Sequence, residues 1–120
     1  MIKYPTYEEY RNTIADINPE GECPVKELLN MLSSKWNLRV LFELTKNDSI
    51  RFGELRKQIG SITNTSLSST LKELEDYGFL KRIQFNEIPP HVEYSLTEKG
   101  KSLYPIFITM REWAQTYGKK

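Results

Sequence analysis

The chain has 120 residues, 28% of them charged and 38% hydrophobic, with a formal net charge of +1. Fourteen aromatic residues (7 Tyr, 5 Phe and 2 Trp) exclude a disordered chain, and the length suits one compact domain with helical extensions. The longest uncharged apolar-rich stretch, residues 102–110, is far shorter than the ~20 residues that cross a bilayer. A single cysteine permits no intrachain disulfide, so we expect a cytoplasmic protein without membrane contact.

The two ends of the chain differ in charge. Residues 1–24 hold two basic and five acidic side chains, a balance of −3, whereas residues 25–120 hold 15 basic and 11 acidic ones, a balance of +4. This excess is too weak for a protein that coats nucleic acid without specificity. Binding to a polyanion would therefore depend on where the basic groups are placed.

Apolar residues at helical spacing predict five helices before residue 79. They span residues 7–14, 25–32, 36–44, 52–59 and 63–77. Ile50 and Arg51 can form a very short strand between the third and fourth helices. Gly60 follows the fourth helix as a left-handed stop, and Gly78 follows the fifth as its stop.

After Gly78 the period of the pattern changes from helical to two. Residues 79–85 and 92–96 are the predicted strands, and the loop between them contains Pro89 and Pro90, which lack the N–H groups of a ladder. Thr97 followed by Glu98 signals the start of one closing helix. Helices, a helix–turn–helix, a hairpin and a closing helix in this order predict an α+β winged helix-turn-helix.

The helix over about 63–77 has two contrasting sides. Its buried stripe is predicted to be Leu67, Leu71 and Leu74. Its outward face is predicted to be Thr65, Ser69, Lys72 and Asp76. The first two turns carry hydroxyls and an amide but no carboxylate, so we expect them to enter the DNA major groove with the positive end of the helix dipole. A solvated helix face with capping hydroxyls is the alternative, which the downstream hairpin disfavours.

Candidate DNA contacts lie on the helix-turn-helix and on the wing over about 79–96. The candidates for base contact are Thr63, Asn64, Thr65, Ser66, Ser68 and Ser69. The candidates for contact with phosphates on the flanking backbone are Arg51, Arg56, Lys57, Lys72, Lys81, Arg82 and His91. Each of these basic residues alone is an ordinary surface charge, but together they occupy elements that this fold places against one DNA face.

Four strings of the sequence carry a resemblance to a known family. They are CPVKELLNMLSSKW at 23–36, RFGELRKQI at 51–59, LSSTLKELEDYGFLKR at 67–82 and IPPHVEYSLTEKG at 88–100. The chain, over about residues 23–118, resembles the HxlR-type winged helix-turn-helix transcriptional regulators of bacteria and archaea. The resemblance implies a homodimer that binds a palindromic or repeat operator, in many members as a repressor and in some as an activator. The family often has Lys in place of Thr65 and Arg in place of His91, so this chain lacks two of the expected positive charges.

The resemblance also implies a candidate redox or electrophile sensor at Cys23, because the cysteine of this motif has that role in some members. The helix start beyond Cys23 favours a thiolate, whereas Glu20, Glu22 and Glu27 disfavour it. An inert, buried thiol is the alternative. With no second cysteine, a sensing Cys23 would form an intersubunit disulfide or a capped thiol.

An apolar stripe on the closing helix, together with the amphipathic N-terminal helix, predicts a two-fold interface. The candidate interface residues are Tyr7, Tyr10, Ile14, Leu103, Phe107, Met110, Trp113, Ala114 and Tyr117. Covering the domain's own core is the alternative role for this stripe. We expect an N-terminal helical extension over 1–22, a DNA-binding winged helix over 23–100 and a dimerisation helix over 101–120, with two recognition helices about 34–36 Å apart.

Two other classes of function, an enzyme and a protein–protein interaction module, are less consistent with the sequence than DNA binding. An enzyme is not expected, because the only histidine is in the wing and the sequence has no metal-ligand cluster, phosphate-binding glycine loop or nucleophile elbow. For the same reasons no cofactor is expected. A winged helix used only for protein–protein contact is the alternative, and the carboxylate-free start of the recognition helix argues against it.

Overall fold

A computed structural model describes residues 4–15 and 24–118 of the chain. Contacts divide the chain into two units, residues 1–32 and 33–120. The first unit contains α1 (Tyr7–Ala15) and α2 (Pro24–Leu32). The second contains α3 (Asn37–Leu44), β1 (Ile50–Arg51), α4 (Phe52–Ile59), α5 (Asn64–Asp76), β2 (Leu80–Phe85), β3 (His91–Leu96), α6 (Glu98–Lys101) and α7 (Tyr104–Tyr117). No helix within the described ranges has the length and apolarity to span a membrane.

The first unit leaves much of its apolar surface uncovered. Thr6 Oγ1 accepts a hydrogen bond from the Glu9 backbone N–H at 3.2 Å, which caps α1. The predicted apolar stripe of this helix, Tyr7, Tyr10 and Ile14, is exposed. In α2, Val25 and Leu29 are exposed as well. The boundary expected after residue 22 and the side chain of Cys23 lie outside the described residues.

The second unit is built on a three-stranded antiparallel sheet of order β1-β3-β2, against which α3 and α5 pack. In the sheet, Ile50 lies opposite Tyr94 and Leu80 opposite Leu96. Buried leucines and isoleucines from the helices and from the turn between α4 and α5 complete the core. They include Leu41, Leu44, Leu55, Ile59, Ile62, Leu67, Leu71 and Leu74. The α+β winged helix-turn-helix predicted from the sequence is confirmed.

Two glycines end the helices of the helix-turn-helix as predicted. Gly60 has φ of 87° and follows α4, and Gly78 has φ of 84° and follows α5. Glycine adopts such positive φ values without the steric penalty that a Cβ atom brings. The Gly60 N–H donates to the Arg56 carbonyl at 2.8 Å, so the turn also satisfies the backbone at the end of α4.

The C-terminal segment differs from the single closing helix that was predicted. It forms two helices, α6 and α7, separated by Ser102 and Leu103. Pro105 lies in the first turn of α7, where its missing N–H is tolerated, and it cannot donate the bond that would extend α6. Leu103 is only 7% exposed and belongs to the core. This burial corrects its assignment to a dimer interface, since it has no surface to offer a partner.

Candidate nucleic-acid interface

The start of α5 is fixed from within the protomer. The Thr63 hydroxyl accepts a hydrogen bond from the Ser66 N–H at 3.1 Å and caps the helix. The predicted leucine stripe is fully buried, with Leu67 and Leu74 at 0% exposure and Leu71 at 2%. The cap and the stripe together set both the position of the helix end and the side that faces outward.

The outward side of this helix start is polar and carries no negative charge. We call residues 63–69 the recognition tip. Its exposed residues are Thr63, Asn64, Thr65, Ser68 and Ser69, while Ser66 is half-buried. The first turn of α5 contains no acidic residue, and its carboxylates, on Glu73, Glu75 and Asp76, begin two turns further along. The predicted separation of hydroxyls from carboxylates along the helix is therefore present in the structure.

Basic side chains without ion pairs lie further along α5 and on the elements next to it. Among the described residues, none of these exposed cations has a carboxylate oxygen within 4.0 Å. They are Arg51, Arg56, Lys72, Lys81 and Arg82. Lys57 differs because its Nζ lies 3.8 Å from Glu54 Oε1, although both groups are exposed and such a pair is weak. The unpaired cations keep their charge available for an external anion.

His91 is engaged inside the wing, which differs from its expected role as a phosphate contact. Its ring stacks on Phe85 with centroids 4.7 Å apart. Its Nε2 lies 2.9 Å from Glu93 Oε2 and its Nδ1 lies 3.7 Å from Glu87 Oε2. Both ring nitrogens thus face carboxylates of the protein itself, and we leave His91 out of the proposed DNA contacts.

Glu93 lies on β3, the central strand of the sheet, and contacts both Ser49 and His91. Ser49 Oγ donates to Glu93 Oε1 at 2.6 Å, in addition to the contact with His91. The hydrogen bond from Ser49 and, after it, the one with His91 hold the pKa of Glu93 below its ordinary value. In the register of the sheet Glu93 lies opposite Arg51, whose positive charge acts in the same direction.

A small cleft lies between α5 and the wing, with a volume of about 320 Å³. We call it the wing cleft. It is lined by Ser68, Leu71, Lys72, Glu75, Arg82 and Tyr94. The sequence predicted Ser68, Lys72 and Arg82 as separate DNA contacts but did not indicate Tyr94 or Glu75. The strand register, which sets Tyr94 opposite Arg82, is the signal that could have found Tyr94.

A larger apolar groove of about 770 Å³ lies between α3 and α7. Phe42 and Phe107 form part of its lining, with ring centroids 5.7 Å apart. None of the residues of α7, all of which are described, is buried. Of the predicted interface residues on this helix, Met110, Trp113, Ala114 and Tyr117 are exposed and Phe107 is half-buried.

Metal binding finds no support in residues 4–15 and 24–118, where no group of three His, Cys, Asp or Glu side chains could hold an ion. The fold and the site define the class of protein. Helices α3, α4 and α5, a short antiparallel sheet and the exposed polar start of α5 are the features of a winged helix-turn-helix protein. The family model described as HxlR-like helix-turn-helix matches residues 31–120.

Known proteins resemble the chain over nearly its whole length. A helix-turn-helix transcriptional regulator from Methanothermobacter thermautotrophicus is 44% identical over 117 residues, which cover 98% of this chain and 88% of the relative. The crystal structure of a MarR-family transcriptional regulator from Porphyromonas gingivalis W83 has a TM-score of 0.76 and 36% identity, and the match covers 85% of this chain and 98% of that one.

The redox regulator HypR, in its oxidised form, matches with a TM-score of 0.70 and 38% identity over 78% of this chain and 96% of that one. The chain belongs to the HxlR-like helix-turn-helix family and is a transcriptional regulator of the helix-turn-helix type. The proteins of this family are transcriptional regulators, which are not enzymes.

Proposed function

We propose that the chain is a homodimeric, sequence-specific DNA-binding regulator that acts as a repressor in the cytoplasm. The recognition tip enters the major groove and reads base edges through its hydroxyl and amide groups. Arg51 at the end of β1, Arg56 in the last turn of α4 and Arg82 in the wing contact the flanking backbone. Lys57, Lys72 and Lys81 are further phosphate contacts.

The observation that carries this proposal is that the N-terminal end of α5 is exposed, has no acidic residue and lies among unpaired cations. Phosphates repel carboxylates, and α5 keeps its own carboxylates away from its first turn. Five exposed cations, Lys72 on α5 itself and four on neighbouring elements, lack an ion pair among the described residues. A surface built only for contact with another protein has no need of this separation of charge along the helix.

The proposed dimer uses the exposed apolar side chains of α7, supplemented by those of α1. Trp113 and Tyr117 are 61% and 67% exposed, with their rings 5.5 Å apart. Aromatic side chains so exposed on one helix are typical of a surface that another chain covers. A two-fold dimer would present two recognition tips to a palindromic or repeated site.

Selection of DNA fragments bound by the purified protein, followed by a salt titration on the selected fragment, tests the DNA-binding function. A dimer that makes ~6–10 phosphate contacts should lose about three to five decades of affinity between 50 and 200 mM salt. An affinity that does not change with salt, or no enrichment over random DNA, would contradict the proposal. A reporter gene placed behind the selected fragment then tests repression, which predicts higher expression when the regulator is deleted.

Redox modulation through Cys23 is the last part of the proposal, and it is supported by the likeness to the redox regulator HypR. Because the chain has one cysteine, a disulfide would join Cys23 of two protomers. Each thiol loses one proton and one electron when the disulfide forms. An added oxidant such as diamide takes up the two protons and the two electrons. Treated protein should run as a covalent dimer on a non-reducing gel and change its affinity for DNA, and Cys23→Ser should abolish both effects. Unchanged DNA affinity of oxidised wild-type protein would contradict this part.

A further inference from the structure

The outward side of α5 divides into two surfaces that the sequence pattern presents as one. Ser68, Lys72 and Glu75 follow one another at spacings of four and three, so they form one flank of the helix. All three line the wing cleft. Glu73 lies on the opposite flank of the helix and does not line the cleft.

The wing contributes the second wall of the cleft through the sheet register. Leu80 and Leu96 are paired and buried, and the next pair on the same face is Arg82 and Tyr94. Arg82 therefore projects from the same face of the sheet that packs beneath α5. Lys72 from the helix and Arg82 from the wing thus converge on one pocket from two separate elements.

The two cations of the wing cleft share the pocket with one carboxylate but are not paired with it. Within the described part of the chain, neither Lys72 nor Arg82 has a carboxylate oxygen within 4.0 Å, and Glu75 takes part in no ion pair. Leu71 closes the inner end of the pocket. Two convergent cations beside an exposed hydroxyl, with no carboxylate of the described residues at ion-pair distance, form a site for an external anion.

We propose that the wing cleft holds one phosphodiester group of the DNA backbone, which Lys72 and Arg82 bind together and to which the Ser68 hydroxyl donates. Ser68 then contacts the backbone, and the other polar residues of the recognition tip contact base edges. This inference rests on the proposed DNA-binding function. A phosphodiester has two free oxygens, so the guanidinium can take one of them and the ammonium the other. Because one wall belongs to the recognition helix and the other to the wing, a shared phosphate would fix the wing relative to the helix on the duplex.

Glu75 opposes the phosphate in this arrangement. Its carboxylate lies in the same cleft, so the phosphate is held at the end of Ser68 and Lys72 and away from Glu75. Removal of this charge should tighten DNA binding about two- to fivefold, the range expected for one exposed charge interaction. The matched control is Glu73→Gln, which removes the same charge from the opposite flank and should change the affinity much less.

The experiment places neutral methylphosphonates, one at a time, along each strand of a half-site in the DNA fragment selected by the wild-type protein. Binding is measured for the wild type, Lys72→Ala, Arg82→Ala and the double variant, with Lys101→Ala as a control for loss of a distant charge. We expect one position at which neutralisation weakens wild-type binding on the order of tenfold but leaves the double variant unaffected. The double variant should lower the salt slope by about 0.9 per half-site, the value for one phosphate.

The possible outcomes separate the inference from the function on which it rests. If the variants bind DNA but respond to different phosphates, or the double variant lowers the slope by about 1.8 per half-site, the shared site is overturned while DNA binding stands. If the wild type selects no DNA, the proposed function falls and the inference with it. If the double variant unfolds, the inference is tested on the DNA affinities of the single variants and of Glu75→Gln and Glu73→Gln. Equal affinities of those two glutamine variants would overturn the proposed phosphate site.

Discussion

The helices α5 and α7 have almost the same length, 13 and 14 residues, but their surroundings are opposite. Helix α5 buries four residues against the core of its own protomer and turns a polar side outward. Helix α7 buries none and turns aromatic side chains outward. The orientation of α5 is therefore explained by one copy of the chain, whereas the composition of α7 is not.

This difference separates two uses of apolar residues. The leucines of α5 set the direction of a polar surface, because their burial leaves the recognition tip no other orientation. The aromatic residues of α7 are themselves the surface, and the proposed dimer gives them a cover. Substitutions of buried residues in α5 should therefore lower the stability of the fold, whereas substitutions of exposed aromatic residues in α7 should weaken dimerisation.

The largest effect is expected from Leu67→Ala. Leu67 is fully buried at the start of α5, and removal of a buried leucine side chain costs about 2–5 kcal/mol of the free energy of unfolding. Urea denaturation measures the loss, with Met110→Ala on the exposed side of α7 as the control at low protein concentration. An equal loss of unfolding free energy in both variants would contradict the proposed difference between α5 and α7.

The second effect concerns association and not folding. Trp113→Ala removes an exposed indole from the proposed interface, and truncation of such an aromatic anchor raises the dissociation constant of a dimer on the order of thirtyfold. Sedimentation equilibrium measures the change. Tyr77→Ala removes an exposed aromatic outside α7 and should leave the constant unaltered. A Trp113→Ala protein that dimerises like the wild type would show that α7 has another partner.

Much of this architecture was predictable because the local signals and the tertiary packing agree. The leucine stripe of α5, the glycines that end α4 and α5, and the two-residue strand at Ile50–Arg51 are all present as predicted. In each case a local rule of spacing or backbone conformation decides the outcome. Such rules need no knowledge of distant contacts.

Other features depend on contacts between distant residues and were missed. Glu43 is 1% exposed and lies 3.0 Å from both Arg39 and Lys46, although its sequence context is that of a solvated helix position. His91 reads as a free wing residue, but Phe85 and two carboxylates enclose it. The wing cleft likewise exists only because the sheet register brings the wing to one flank of α5.

A third prediction distinguishes phosphate contacts, which position the protein on DNA, from base contacts, which determine sequence specificity. Arg51→Ala should weaken binding to all DNA sites alike and lower the salt slope by about 0.9 per half-site, because Arg51 is a candidate phosphate contact. Ser69→Ala should instead reduce the discrimination between selected and altered sites by ~1 kcal/mol, the value of one hydrogen bond. Titrations on matched and mismatched fragments at several salt concentrations measure both. The reverse pattern would mean that base and phosphate contacts have been exchanged.

The smallest effect is expected on β3, where the Glu93 carboxylate contacts Ser49, which precedes β1, and His91 of the same strand. The hydrogen bond from Ser49, and then that with His91, lower the pKa of Glu93 in the folded state, so its ionised form stabilises the fold. This contribution is complete above the ordinary value of 4.5 and is lost as the pH falls through the lower folded pKa. Urea denaturation of the wild type and Glu93→Gln across the acidic range should show a shallower pH dependence in the variant. Glu98→Gln, whose carboxylate is exposed on α6, should retain the wild-type profile, and parallel profiles for all three proteins would mean that the wing gains nothing from this carboxylate.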